Sequence, residues 1–383
     1  MIELDERLLR LRAEARDWAD ELRPHALELD ADPELVRRML HLRAVRYVSR
    51  MMVPAEHQPD PLLIGPHAYY GTTALERAIV AEELACGDPG MFLASPGASL
   101  SGVLVGLLGD PEQQKWFFGR IVEEPTWTFF GLTEPGHGSD ATALQTSLTA
   151  VPGGLRLDGE KRYAGNAARA GIGTVFARTG KGPLGVAAVL VDSSQEGFHA
   201  EPLPMIGLRG ARISAIRLDG VEIAPERVLG RHLPVSARGM RGAMLTFHQF
   251  RPGVAALALG IARAAQEYGT AHRESLDAAG RAELERIGRE VDATRQLVWA
   301  AALSVDRDPH RGVYASAAKA RAAQLAEQAT LRVTELLGPG ALFDHPLLDK
   351  LVRDARGVEF MEGTSNIQRL NLGQAVAGGR LEG

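Results

Sequence analysis

Near the C-terminus, a single carboxylate stands where it could do chemistry. Glu362 lies between the apolar pair Phe360-Met361 and the small polar run Gly363-Thr364-Ser365. A glutamate that loses solvation on one side and meets hydrogen-bonding groups on the other is suited to act as a general base. The structural alternative is that Glu362 borders a helix, because Thr364 and Ser365 are common N-cap residues before the Ile-Gln-Arg-Leu run that follows.

A second segment, from Thr133 to Asp140, reads Thr-Glu-Pro-Gly-His-Gly-Ser-Asp. Its proline and glycines favour a tight loop whose backbone amides can point at an acceptor, and its hydroxyls add further donors. Such a loop suits a phosphate or the polar edge of a cofactor, although similar sequences are common in surface turns. Within it, Glu134 and Asp140 can simply close loop hydrogen bonds, and we expect His137 to face solvent.

Together the two segments resemble the acyl-CoA dehydrogenase family of flavoproteins. Further matches follow in the family's order along most of the chain: Gly109–Lys115, Asp158–Tyr163, Gly207–Gly210, Arg251–Ala256 and Arg353–Arg356. The resemblance implies that FAD lies between a middle β domain and the C-terminal helices. It also implies that Glu362 removes a proton from the carbon next to a thioester while hydride passes to the flavin. The backbone amide of Glu362 and a flavin ribityl hydroxyl would bind the thioester oxygen.

By position, the resemblance implies a set of site residues. The flavin contacts are Phe130, Leu132, Thr133, Gly138, Ser139, Tyr163, Gly165, Gly338, Gly340, Thr364 and Asn366. The substrate contacts are Ser139, Arg251, Met361 and Gly363, and His248 is added because a short polar substrate needs polar or cationic groups in its pocket. Structural alternatives stay open for two of these, with Arg251 as an ion-pair partner at a helix start and His248 as a packing residue. The histidines are scattered, so we predict no metal site.

Three departures from the family pattern bear on the site. Tyr163-Ala164-Gly165-Asn166-Ala167 replaces a typical Trp-Ile-Thr-Asn-Gly, which keeps an aromatic wall but loses a threonine hydroxyl. The segment that reaches the FAD of a neighbouring subunit is not found after Tyr268, and Glu335–Ala341 replaces a Gln-x-x-Gly-Gly-x-Gly run. We therefore expect a homodimer or homotetramer, with FAD sharing between subunits left open.

Met361, Tyr163 and the Gly338-Pro339-Gly340 turn make the chain most similar to the acyl-carrier-protein dehydrogenases of polyketide extender-unit biosynthesis, which serve hydroxymalonyl- and methoxymalonyl-carrier protein. This similarity implies a short polar acyl group on an acyl carrier protein, and an electron acceptor. Two alternatives stay open. One is a short- or branched-chain acyl-CoA dehydrogenase, and the other is a binding protein that keeps the flavin fold without catalysis.

Composition agrees with a soluble enzyme. The chain has 383 residues, 45% of them hydrophobic and 24% charged, which allows two or three domains. A net charge of -5 argues against a nucleic-acid partner. The charged start Met1–Arg7 lacks a signal region, and the uncharged run Pro89–Gly109 reads as a buried helix, not a membrane span. We expect a cytoplasmic protein without internal disulfides, since Cys86 is the single cysteine.

The elements that must position the site fall into a helical, a β and a second helical block, and the resemblance implies that they form an α+β fold of the acyl-CoA dehydrogenase type. We expect an N-terminal helical domain (1–124), a middle small β-barrel domain with the flavin loop (125–232), and a C-terminal four-helix bundle that carries the base (233–383). In the first domain, Leu75, Ile79, Val80 and Leu84 recur at helical spacing, and Glu76, Arg77, Glu82 and Glu83 suggest a solvated face. Strands are predicted at 173–178 and 185–191, and a short one at 155–157 that ends in a turn at Asp158-Gly159. Apolar helix faces are predicted for Val254, Leu257, Ala258, Ile261, Ala262 and Ala265, and for Ala318, Ala322, Leu325, Ala329, Val333 and Leu336.

Overall fold

A computed structural model describes residues 1–182 and 184–379, with helices at both ends of the chain and strands between them. The helices are α1 (Glu6–Leu22), α2 (Ala26–Ala31), α3 (Arg43–Arg50), α4 (Ala74–Gly87), α5 (Pro89–Ala94), α6 (Ser99–Leu108), α7 (Pro111–Glu123), α8 (Met240–Ala271), α9 (Ala278–Arg307), α10 (Val313–Leu337), α11 (Ala341–Asp344), α12 (Pro346–Val358) and α13 (Ser365–Ala377). The strands are β1 (Leu62–Ile64), β2 (His67–Tyr69), β3 (Thr128–Gly131), β4 (Ser147–Val151), β5 (Gly154–Ala164), β6 (Ile172–Arg178), β7 (Val186–Asp192), β8 (Phe198–Pro202) and β9 (Ser214–Ile223). This order confirms the predicted fold class.

Helix α4 is buried along its whole length, against our expectation. The four charged residues expected on a solvated face are each at most 5% exposed: Glu76, Arg77, Glu82 and Glu83. Arg263 of α8 donates to Glu82 at 2.9 Å and to Glu83 at 2.5 Å, and Arg295 of α9 donates to Glu82 at 2.8 Å. Buried charges persist when they are paired, so ion pairs join α4 to the C-terminal helices. Helical periodicity alone does not reveal such partners.

The middle of the chain folds into a mixed seven-stranded sheet with the order β3-β6-β4-β5-β9-β8, and β7 pairs with β6. The strands predicted at 173–178 and 185–191 are confirmed as β6 and β7, which pair antiparallel. The strand predicted at 155–157 is confirmed as part of β5, but its short length was wrong, because β5 continues through Asp158-Gly159 to Ala164. Gly159, at φ +143°, lies at a register shift against β9 instead of ending the strand in a turn.

In the C-terminal part, α8 packs against α9, α10 and α12, and also against α4. The apolar face predicted for α8 is confirmed, since all six of its residues are buried. On α10 five of the six are buried and Leu336 is only partly so. Alanines on both helices let the backbones approach closely.

Two local predictions in the N-terminal part were wrong. The run Pro89–Gly109 forms two helices, α5 and α6, because Ser95-Pro96-Gly97 interrupts the helical path. The strands β1 and β2 form a short antiparallel hairpin in a region expected to be all helical.

Within residues 1–182 and 184–379, the helices are too short or too polar to cross a membrane. The domain boundaries themselves stay predictions.

Candidate active site

Glu362 lies in the loop between α12 and α13 and has an unusual backbone conformation, with φ at +47°. The residue is half-buried, but its Oε2 atom is buried and has no hydrogen-bond partner among the described residues. Burial raises the pKa of Glu362 to about 7, against the positive charges of Lys319 and Arg251, which lower it. A carboxyl group that ionises near neutral pH is suited to take a proton from a substrate.

The helix cap that offered an alternative role for Glu362 is formed by a different glutamate. Glu359 Oε1 accepts a hydrogen bond from the Ser365 amide at 2.8 Å, and its Oε2 accepts one from the Ser365 hydroxyl at 2.6 Å. Thr364 is the N-cap residue of α13, but its side chain makes no capping bond. Glu359 therefore satisfies the start of α13, and the Glu362 carboxylate is left free of that role.

Three side chains hold the backbone around Glu362. Arg251 Nε donates to the Glu362 carbonyl at 3.2 Å, and Gln368 Nε2 donates to the carbonyls of Glu362 and Gly363, each at 3.0 Å. Lys319 Nζ donates to the carbonyl of Gly363 at 2.9 Å. Gly363 itself has φ at +96°, a conformation that favours glycine.

Lys319 and Gln368 were missed in the sequence, and each left only a weak signal. Lys319 is the one lysine of the alanine-rich helix α10, and it lies next to Ala318, which was predicted to be buried. Gln368 is fully buried in the first turns of α13, although its residue type usually lies on the surface. A polar residue at an expected core position is a reason to look for a nearby functional loop.

Arg251 and two aromatic rings connect the loop of Glu362 to the central sheet. The guanidinium of Arg251 lies 5.6 Å from the centroid of the Phe247 ring, and the Phe247 ring lies 5.8 Å from that of Phe130 in β3. Arg251 is 7% exposed, and burial lowers its pKa to about 10. Among the described residues, the Glu362 carbonyl is the one acceptor recorded for its guanidinium. The arginine stays charged at neutral pH with donors to spare.

A buried ion pair between Glu134 and Lys161 fixes the loop that follows β3. The Glu134 carboxylate accepts from the amides of Gln145 (2.6 Å) and Thr146 (2.8 Å), and from Lys161 Nζ (2.8 Å). Lys161 Nζ also donates to the carbonyl of Leu132 at 3.2 Å. Burial lowers the pKa of Lys161 to about 8, although the Glu134 carboxylate raises it. Glu134 thus closes loop hydrogen bonds, one of the roles considered from the sequence.

The tip of this loop and the neighbouring strand fit a flat cofactor with a polar edge. Arg162 N donates to the Thr133 carbonyl at 2.8 Å, which brings Tyr163 next to the loop. Tyr163 has φ at +62° and its side chain is exposed. A Cβ added at Gly136 or Gly138 would meet nothing within 4 Å. An exposed aromatic ring beside an open, amide-rich loop is compatible with a flavin.

Several residues of the predicted site lie in the parts of the fold just described. Leu132 is buried and Ser139 is exposed at the loop tip, while Gly165 follows the end of β5. Thr364 and Asn366 lie at the start of α13, close in sequence to Glu362. Met361 packs on the core of the C-terminal helices. The flavin and substrate contacts of these residues stay predictions.

Three predicted residues lie in other surroundings. The Nδ1 atom of His248 is 3.1 Å from the carbonyl of Pro309, and a Cβ on Gly312 would come within 2.2 Å of its ring. These are the packing contacts named as the alternative for His248. Gly338 and Gly340, both with φ at +89°, form the turn between α10 and α11. Roles of these residues toward substrate or FAD stay predictions.

A cleft of about 620 Å³ lies elsewhere, in the N-terminal part. Arg43, Tyr47 and Gln58 are among its lining residues, and none of the predicted site residues lines it. Size alone therefore does not identify the reaction site in this fold.

Comparison with known proteins agrees with this geometry. The sequence profile of the acyl-CoA dehydrogenase C-terminal domain matches residues 237–377, and that of the middle domain matches residues 129–221. The chain belongs to the acyl-CoA dehydrogenase family. A member of this family is an oxidoreductase that acts on acyl thioesters, with FAD as its cofactor. The chain is 30% identical over 377 residues to a 3-(aryl)acrylate reductase of Clostridium sporogenes, covering 94% of this chain and 96% of that protein.

Solved structures of family members are similar over the whole chain. Butyryl-CoA dehydrogenase from Megasphaera elsdenii is 25% identical with a TM-score of 0.84, over 98% of this chain and 100% of that one. The prolyl acyl carrier protein oxidase AnaB is 19% identical with a TM-score of 0.81, over 98% and 100%. PigA, solved as an FAD complex, is 18% identical with a TM-score of 0.84, over 100% of both chains. The last two similarities concern the fold alone.

Proposed function

We propose that this acyl-CoA dehydrogenase family member removes a proton and a hydride from the acyl part of a short, polar thioester carried by an acyl carrier protein. The observation that carries the proposal is the Glu362 carboxylate. Its Oε2 is buried and has no hydrogen-bond partner in the described part of the chain, and burial raises the pKa of the carboxyl group to about 7. The cap role that would explain a structural glutamate belongs to Glu359. FAD, when bound, supplies the acceptor for the hydride.

Glu362 contributes in two ways. Its carboxylate takes the proton from the carbon next to the thioester, and the buried setting favours the neutral acid that results. Its carbonyl is occupied by Arg251 and Gln368, whereas its backbone N–H has no acceptor among the described residues. That free N–H is suited to bind the thioester oxygen, where negative charge develops as the proton leaves.

The residues proposed to hold FAD are on two sides of the site. Thr133, Gly138 and Ser139 provide the loop, and Tyr163 with Gly165 provides the wall beside it. Thr364 and Asn366, which follow the base at the start of α13, complete the set. The open space at Gly138 and the exposed Tyr163 ring support this assignment.

Arg251 supports a polar acyl group. It is buried beside the Phe247 ring, and the part of its guanidinium beyond Nε has no recorded acceptor in the described chain. A hydroxyl or carboxylate oxygen of the acyl group would satisfy these donors, whereas a plain alkyl chain would leave them unpaired. A hydroxylated three-carbon group of the kind used in polyketide extender units fits this requirement.

A basic rim at the start of α8 supports a carrier protein as the partner. We define this rim by Arg231, His232, Arg238, Arg241 and His310. Arg238 lies against Gly230 of the 230–233 turn, and Arg241 lies 3.5 Å from the His310 ring. Arg241 and Arg251 are on the same helix, about 15 Å apart along its axis at 1.5 Å per residue. We propose that the pantetheine arm of an acidic carrier bound at the rim follows α8 from Arg241 towards Arg251 and Glu362.

The decisive experiment is anaerobic bleaching of the bound flavin. We expect glyceryl- or hydroxyacyl-carrier protein to bleach it and short acyl-CoA thioesters to do so far more slowly. Glu362→Gln should keep FAD bound but abolish bleaching, while the matched control Glu335→Gln, an exposed glutamate of α10, should bleach normally. Bleaching that survives Glu362→Gln would rule out this residue as the base.

A short-chain acyl-CoA dehydrogenase is the second candidate, favoured by the 25% identity to butyryl-CoA dehydrogenase. Rapid bleaching by butyryl-CoA without any carrier would select it. A protein that takes up no FAD would instead support a binding role. We also propose a cytoplasmic homodimer or homotetramer, to be checked by sedimentation of the holoenzyme.

A further inference from the structure

We propose that Lys319 of α10 is a positioning residue for Glu362: it fixes the backbone on both sides of the base and supplies a buried positive charge that acts on its carboxylate. The catalytic meaning of this inference rests on the proposed function. The physical claim concerns the Glu362 carboxyl group itself, and it can be measured apart from catalysis.

Lys319 bonds the backbone on both sides of Glu362 and so acts as a clamp on this turn. Its side chain is 0% exposed, and its Nζ donates to the carbonyls of Glu359 at 2.6 Å and Gly363 at 2.9 Å. These two carbonyls lie before and after Glu362 in the chain. The same Nζ is 4.0 Å from Glu359 Oε2, the carboxylate that caps α13. One ammonium group therefore links the end of α12, the turn with the base and the start of α13.

This turn needs such a clamp because its backbone is strained. Glu362 is a non-glycine residue in the left-handed region, a conformation that costs free energy and persists only where its surroundings hold it. Arg251 and Gln368 bond the carbonyls of Glu362 and Gly363. Of these three side chains, only Lys319 also bonds the carbonyl of Glu359. It therefore holds both ends of the turn, at Glu359 and at Gly363.

Lys319 also acts through its charge. The positive groups that lower the pKa of Glu362 are Lys319 on α10 and Arg251 on α8, and burial opposes both. On Lys319 itself, burial lowers the pKa, Glu359, Glu362 and Glu327 raise it, and Arg251 lowers it. Without the Lys319 charge, only Arg251 is left to offset the effect of burial on the pKa of Glu362. The Glu362 carboxyl group should then stay protonated to a higher pH.

The test follows the Glu362 carboxyl by infrared difference spectroscopy of the FAD-loaded protein. The protonated C=O band of Glu362 is identified by its absence in Glu362→Gln, and its intensity is titrated against pH. In Lys319→Met we expect the midpoint to move to higher pH. Flavin reduction at pH 6 should be on the order of tenfold slower and recover as the pH rises. Lys319→Arg, which keeps the charge and the donors, should restore most of the original midpoint.

The matched control is Thr330→Val on the same helix. Thr330 is fully buried and donates to the Ala326 carbonyl at 2.9 Å, so its loss lowers stability without touching the turn. We expect an unchanged midpoint. If Lys319→Met does not fold, Lys319→Gln removes the charge and keeps one donor, and the same upward shift is expected. A wild-type midpoint in Lys319→Met or Lys319→Gln, the variants that lack the charge, would overturn the proposal. Flavin reduction that persists in Glu362→Gln would instead refute the proposed function and leave the titration of Lys319 variants valid.

Discussion

Arg251 Nε donates a hydrogen bond of 3.2 Å to the carbonyl oxygen of Glu362, and so joins the long helix α8 to the loop between α12 and α13. The arginine thereby contacts the backbone of Glu362, the proposed base, and the carboxylate itself has no ion-pair partner among the described residues. A direct ion pair would hold the Glu362 pKa low and weaken it as a base. Because Arg251 bonds the carbonyl and not the carboxylate, its charge offsets only part of the rise in pKa that burial causes. The pKa of Glu362 therefore stays raised, at about 7.

The raised pKa makes the cost of Glu362 to stability dependent on pH. Between its ordinary pKa of 4.5 and its folded value of about 7, the folded protein binds more protons than the unfolded chain. Stability from this group is thus present below pH 4.5 and lost as the pH rises through 7. Glu362→Gln should therefore gain free energy of unfolding relative to wild type, by up to about 3 kcal/mol between pH 4.5 and 8. Urea unfolding at several pH values measures this difference, and a difference that does not change with pH would mean that folding leaves the pKa of Glu362 unchanged.

Arg251→Met should lower kcat/KM for the polar carrier-bound substrate by roughly 10- to 100-fold. Hydrogen bonds to a charged group contribute about 1.5–3 kcal/mol, and these would be lost. The loss with an unsubstituted butyryl thioester should be clearly smaller, because that group has no oxygen to pair with the guanidinium. Steady-state kinetics with both substrates separates the two effects. Equal losses would mean that Arg251 acts only on the base.

Lys161→Met should loosen the flavin loop. It leaves the Glu134 carboxylate buried without its cation, and breaking a buried pair costs about 3–5 kcal/mol. We expect a lower melting temperature and weaker FAD binding, measured by fluorescence titration. The double variant Lys161→Met/Glu134→Gln removes the uncompensated charge and should recover part of both losses. The exposed Lys115→Met serves as control, and equal FAD affinity in Lys161→Met and wild type would contradict the assignment.

The sequence predicts the fold class well because apolar periodicity marks most helices and strands directly. Its clearest error falls where buried charges have distant partners. Glu82 and Glu83 looked solvent-exposed, since nothing local indicates that Arg263 and Arg295 meet them some 180 to 213 residues away. Gly159 looked like a turn, but its positive φ serves a bulge within β5.

The same limit applies to the site. Glu362 and Arg251 follow from local composition and family position, and the structure joins them by a hydrogen bond. Lys319 and Gln368 could not be assigned, because their roles depend on how α10 and α13 are placed around the turn. His248 was named only as a polar group for the pocket, and the structure shows the packing contact that was its alternative. Sequence order thus predicts which segments meet, but not which side chains within them do.

Charge reversal at the basic rim tests carrier docking. Arg241→Glu should raise KM for the carrier-bound substrate on the order of tenfold at low salt and leave kcat nearly unchanged, because rim charges act mainly on association. The effect should fade as ionic strength rises. Turnover of the same acyl group on free pantetheine should not change, since no acidic protein is involved. Arg289→Glu, an exposed arginine on α9 that is 4.0 Å from Glu285, is the matched control and should have the wild-type KM. If Arg241→Glu leaves the KM for the carrier unchanged but raises it for CoA thioesters, the rim binds CoA phosphates and the carrier proposal fails.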